Sequence, residues 1–188
     1  MPPALDLGLC DQPRHPVCQP YPQDRKKQSF PSGFRTTQPR FQLYDAEWLL
    51  GEWNGPAVIK GVVNPADAAR AVQTGFNAIS ISNHGGRQLD ASPAPIDMLR
   101  PIRDHIGDAA ELIVDGGVRR SSDIIKAMAL GANAVSFARP YLYGLAAGGQ
   151  EGVERALDLF VEGLHRDMIL AGAASIGDLN ESFIRARS

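Results

Sequence analysis

A chain of 188 residues, 44% hydrophobic and with a net charge of -2, has room for one ordinary domain or for part of a larger one. That charge balance excludes a polybasic nucleic-acid or anionic-membrane surface, and no apolar run approaches the roughly 20 residues of a membrane span. The start has no basic stretch leading into an apolar core, so no secretory leader is expected and the expected location is cytoplasmic. Residues 1–40 contain 8 of the 14 prolines, the charged run Asp24-Arg25-Lys26-Lys27 and the only cysteines, Cys10 and Cys18. They lack helical or strand periodicity, which predicts a disordered or poorly ordered extension with two free thiols.

The pattern changes at Phe41. Asp45–Leu50 reads as helical up to Gly51, and Asn54-Gly55-Pro56 as a turn. Ala57–Gly61 reads as a buried parallel strand ending in Lys60. Asn64 caps a helix that opens with Pro65 and stops at Gly75. Ala78–Ser82 is a second strand. A helix from Pro93 or Pro95 to about His105 follows, with Ile96, Leu99 and Ile102 on one face. Glu111–Asp115 is a third strand, and Gly116-Gly117 turns the chain into a helix capped by Ser121 or Ser122 and ending at Gly131. Ala134–Ala138 is a fourth strand. A short helical piece near Tyr141–Ala146 precedes a long amphipathic helix from about Glu151 to Ala171. Its Leu157, Phe160 and Leu164 are expected to face the core, Trp48 and Trp53 to serve packing, and Arg120, His105 and His165 to face solvent.

Strand and helix therefore alternate four times, the signature of a parallel α/β fold. In such folds the chemistry gathers at the C-terminal strand ends. The four ends here are Lys60-Gly61, Ser82-Asn83-His84, Asp115-Gly116-Gly117 and Ala138-Arg139. Together they present one side chain suited to proton transfer, His84, and the cations Lys60, Arg87, Arg119 and Arg139, which imply an anionic ligand. The planar fork of Arg87 matches a carboxylate. Gly116, Gly117, Arg119 and Arg139 resemble a phosphate cradle of the kind built after the last two strands of a (β/α)8 barrel.

Four segments carry a resemblance: Val58-Ile59-Lys60-Gly61, Ser82-Asn83-His84-Gly85-Gly86-Arg87-Gln88-Leu89-Asp90, Val114-Asp115-Gly116-Gly117-Val118-Arg119-Arg120 and Ala138-Arg139-Pro140. In their order and content they resemble the FMN-dependent α-hydroxy acid oxidases and dehydrogenases, a family that includes glycolate oxidase, lactate and mandelate dehydrogenases and flavocytochrome b2. The resemblance spans residues 41–188 and implies the C-terminal half of a TIM (β/α)8 barrel, its strands 5 to 8. It implies that Lys60 stabilises the reduced flavin, Ser82 bonds the flavin ring, His84 is the base, and Arg87 grips the substrate carboxylate. Asp115 would bind the ribityl chain. Gly116, Gly117, Arg119, Ala138 and Arg139 would hold the FMN phosphate, and no metal is expected. Two local departures are Ala138 and Ser121, where the family usually has glycine.

The family's first half barrel normally supplies an Asp that pairs with the catalytic His, as well as further substrate contacts. Two readings therefore stand side by side. One is FMN-dependent oxidation of a small 2-hydroxy acid, or of a modified peptide. The other is an inactive remnant or split subunit that needs self-association or a second chain to supply strands 1 to 4. A phosphate-binding barrel without redox chemistry is disfavoured by the His84/Arg87 pair.

Overall fold

The computed structural model describes residues 43–185, all within the unit Phe41–Ser188. The expectations for residues 1–40, Cys10 and Cys18 among them, lie outside the described residues. Helix α1 (Leu43–Glu52) leads into β1 (Val58–Val62), α2 (Pro65–Thr74), β2 (Ala78–Ser82), α3 (Pro95–Ile106), β3 (Glu111–Asp115), α4 (Ser121–Ala129), β4 (Ala134–Ser136) and α5 (Arg139–Ala171). The four strands form one parallel sheet in the order β1-β2-β3-β4. Sequential order with a helix at each crossover is the winding of a (β/α)8 barrel. A doubly wound sheet would reverse its order at a switch point. Among the described residues, no helix is long and apolar enough to cross a membrane.

The core lies where β2 and β3 meet α2 and α3. Every residue of β2 is buried, and Ile79, Ile81, Leu99, Ile102 and Leu112 are fully enclosed. Burying each such side chain contributes about 1.5–3 kcal/mol. Ala68 and Ala71 let α2 lie close to the sheet. The helix ends follow local chemistry. Asn64 Oδ1 accepts the Ala66 N–H at 2.8 Å, and Gly75 closes α2 at φ 109°.

Several expectations need correction. Strand β1 is an edge strand, not a buried one, because among the described residues only β2 pairs with it; Val58 is exposed. Helix α1 runs through Gly51 to Glu52. Neither Ser121 nor Ser122 caps α4. Arg120 is the N-cap, and the Asp123 carboxylate accepts the Arg119 and Arg120 amides at 3.0 and 3.1 Å. Ser121 instead donates its hydroxyl proton to Asp167 Oδ2 on α5 at 2.5 Å.

Strand β4 stops at Ser136. The next residue, Phe137, stacks on Phe160 with ring centroids 4.4 Å apart. The two helical pieces after it form α5, broken at Gly148 and Gly149. The backbones of Gly144 and Gly152 come so close across this break that a Cβ on either would strike the other's carbonyl. Farther along, α5 rests on α4, where Gly163 lies against Ser121. Phe160, stacked on Phe137, is buried while Leu157 is 45% exposed. Trp48 and Trp53 are also exposed rather than packed in the core. Trp53 folds over Gly55 and donates its indole N–H to the Pro56 carbonyl at 3.0 Å.

Candidate functional site

The C-terminal ends of neighbouring strands bring three of the expected site residues into one hydrogen-bonded network. Ser82, at the end of buried β2, is fully enclosed, and its hydroxyl donates to Asp115 Oδ2 at 2.6 Å. Ser82 and Asp115 are register partners across β2 and β3. From the other side Lys60 donates to the same carboxylate oxygen, forming an ion pair. A buried strand ending in Lys60 implies a buried ammonium. The Lys60 side chain is in fact 50% exposed, and its partner is Asp115, itself 17% exposed. Burial pushes the Asp115 pKa up, but hydrogen bonds from Lys60, Ser82 and Ser136, with the Lys60 charge, outweigh that and hold the carboxyl below its usual range.

The same serine fixes the next turn. The His84 N–H donates to Ser82 Oγ at 3.1 Å, and the Gly85 N–H donates to Asn83 Oδ1 at 3.0 Å. These two bonds hold His84–Gly86 in a single 3-10 turn with His84 at φ 54°. A left-handed backbone is uncommon outside glycine and costs a non-glycine residue of order 1 kcal/mol. Gly85 and Gly86 also take positive φ. The turn presents the His84 imidazole and the Arg87 guanidinium at the surface. The Arg87 side chain has no hydrogen-bond or ion-pair partner among the described residues.

After β3 the backbone passes through Gly116 at φ 110° and Gly117 at φ 78°. Only glycine takes these angles without strain. The Gly116 N–H donates to the Ser136 carbonyl at 3.2 Å, which ties this turn to the end of β4. Arg119 stands just before α4, and Arg139 is the first residue of α5. Both side chains are exposed, again without a partner among the described residues. Arg119, Ser122, Pro140 and Phe160 line one groove of about 410 Å³, so the starts of α4 and α5 share a surface. Ala138 sits at φ -120°, where a methyl group brings no left-handed strain. His105, His165 and Arg120 are exposed, as expected.

Reading the sequence missed two supporting groups. One is Ser136, whose only sequence signal is a polar residue at the end of an apolar strand. The other is Asn83, whose signal is an Asn immediately before His-Gly-Gly, the pattern of an Asx turn.

The arrangement offers a hydrogen-bonded carboxylate–ammonium pair, an exposed imidazole and three uncommitted guanidinium groups. Such a set suits a large anionic ligand together with a small carboxylate. The profile of the FMN-dependent dehydrogenase family matches residues 2–186. A pre-mycofactocin synthase of Mycolicibacterium smegmatis is 50% identical over 135 residues, which is 72% of this chain and 34% of that protein. An L-lactate oxidase of Nostoc is 47% identical over 140 residues, 74% of this chain and 38% of that protein. A mandelate oxidase variant holding a monooxide FMN adduct superimposes with a TM-score of 0.72 at 42% identity, over 74% of this chain and 44% of its own. The chain thus spans a little over a third of the curated relatives it matches, and the part it matches corresponds to the C-terminal half of their barrel. By its motifs, its winding and these matches, the chain belongs to the FMN-dependent dehydrogenases.

Proposed function

We propose that this chain carries the flavin-binding and proton-accepting half of an enzyme that oxidises a 2-hydroxy acid to the 2-oxo acid with FMN. The observation that supports this most directly is the network of the Lys60, Ser82 and Asp115 side chains, to which the His84 backbone N–H is tied through Ser82. The residues present fit the cofactor. Gly116 and Gly117 bring no side chain into the turn, where the Gly116 N–H is already given to the Ser136 carbonyl, and Arg119 and Arg139 have no side-chain partner among the described residues where two helices begin. These four, with Ala138, would hold the phosphate. Lys60 and Ser82 would face the flavin ring, and Asp115 would accept from the ribityl hydroxyls.

FMN, when bound, supplies the two-electron acceptor. The remaining work falls to this chain. The Arg87 fork binds the substrate carboxylate in a bidentate pair and sets its orientation. The His84 imidazole then accepts the substrate's proton and becomes a cation, so it needs a stable position and a route to solvent. Its exposure provides that route.

The reading is tested by adding lactate, glycolate or mandelate anaerobically to the FMN-loaded chain in the assembly that completes its barrel, and following flavin absorbance. Bleaching is expected in the wild type and should slow by about 100-fold or more in His84→Gln while flavin stays bound. Equal bleaching in that variant would remove His84 from the role of base. The 50% identity to a pre-mycofactocin synthase supports a second reading, in which the same groups act on that enzyme's substrate. Bleaching by that compound and by none of the hydroxy acids would select it.

A partner belongs to the same proposal. Among the described residues β1 and β4 each pair on one side only, and an open edge of this kind is a template for further strands. We infer that a second chain or a second copy completes the barrel. A mass measurement showing a stable, flavin-loaded monomer would contradict this.

A further inference from the structure

The regular strand β1 carries one irregularity. It keeps register with β2 up to Lys60↔Ser80 and resumes at Val62↔Ile81, so Gly61 is an inserted residue. Its φ is 97°. A bulge re-aims a strand locally, and such bulges gather beside functional sites. What lies against this one is specific: a Cβ on Gly61 would sit 2.7 Å from His84 Nε2, 3.5 Å from Cε1 and 3.8 Å from Cδ2. The tip of the imidazole therefore rests where a side chain would otherwise project. From the far side, the strained His84 backbone and its bond to Ser82 Oγ fix where the ring starts. Two strands thus determine one ring position, β2 through the backbone and β1 through a missing methyl group.

We propose that Gly61 is a positioning residue and that its bulge is the seat of the His84 imidazole. The catalytic consequence rests on His84 being the base; the seat itself does not. The ring is the far end of a side chain and can swing, so an alanine at this position displaces the imidazole instead of unfolding the sheet. Gly75 provides the control. Its φ of 109° makes alanine equally strained, but a Cβ there would meet only Leu50 Cδ1, at 3.7 Å.

The test is proton NMR on the full chain. The wild type should show nuclear Overhauser contacts between the Gly61 α-protons and the His84 ring protons. Gly61→Ala should shift the His84 ring resonances, whereas Gly75→Ala should lose comparable thermal stability and leave them in place. In a chain that turns over, Gly61→Ala should lower kcat with KM nearly unchanged, because Arg87 still holds the carboxylate. Absent contacts in the wild type would overturn the proposal, even if Gly61→Ala fails to fold. Equal shifts in the two variants would overturn it as well. Contacts present, but with turnover unaffected in His84→Gln, would leave the seat standing and remove the catalytic role instead.

Discussion

At the N-terminal ends of β3 and β4, Arg103 reaches from α3 to the Gly131 carbonyl with Nε at 3.0 Å and Nη2 at 2.8 Å, and to the Gly107 carbonyl and Asn133 Oδ1 at 2.6 Å each. At the C-terminal ends, Arg87, Arg119 and Arg139 make no side-chain hydrogen bond among the described residues. The residue type is the same and its use is opposite. Arg103 is 15% exposed and closes the loops that enter two strands, while the arginines of the other rim keep their donors available. Parallel α/β folds separate stability from chemistry in this way, end from end. A guanidinium without protein partners at the chemical end thus points to a ligand more strongly than one at the structural end.

Substitutions can break this contrast in graded steps. Arg103→Ala is expected to have the largest effect, a loss of about 2–4 kcal/mol in urea unfolding, because it strips partners from several carbonyls at once. Asp115→Asn is next, at about 1 kcal/mol near neutral pH, since the half-exposed Lys60 loses its counter-ion with some screening by water. The sign with pH follows from the direction of the shift. The folded-state pKa lies below the unfolded value, so this stabilisation is complete above about pH 5 and fades as pH falls through the folded pKa. Wild-type and Asp115→Asn unfolding curves should accordingly converge in acid; curves that stayed parallel down to about pH 2 would show that Asp115 carries no such linkage. Arg119→Ala should be smallest, within about 0.5 kcal/mol, because its side chain makes no hydrogen bond or ion pair among the described residues. A large loss there would place Arg119 with Arg103, on the structural side of the comparison.

The centre of the sheet was legible in the sequence because its signals are local. Ala78–Ser82 and Glu111–Asp115 are short apolar runs bounded by turns, and both became strands with the expected limits. The Asn64 cap and the Gly75 stop are equally local. What escaped depends on partners distant in the chain. Nothing near Lys60 reveals that it meets Asp115, 55 residues on, and nothing near Ser121 reveals Asp167, 46 residues on. The apolar letters of Ala57–Ile59 fit a central strand as well as an edge, and only strand order decides between them. The Gly61 bulge leaves no mark in composition, because one inserted residue changes register without changing character.

On the proposed function, two of the uncommitted cations at the C-terminal rim, Arg119 and Arg139, await FMN. Titrating the FMN-free chain and its Arg119→Ala variant with FMN, and following flavin fluorescence, tests it most directly. Saturable binding near one flavin per chain is expected, weakened by about 10-fold or more in the variant, whose fold should remain intact. An absence of saturable binding, or equal affinity in the two proteins, would contradict it.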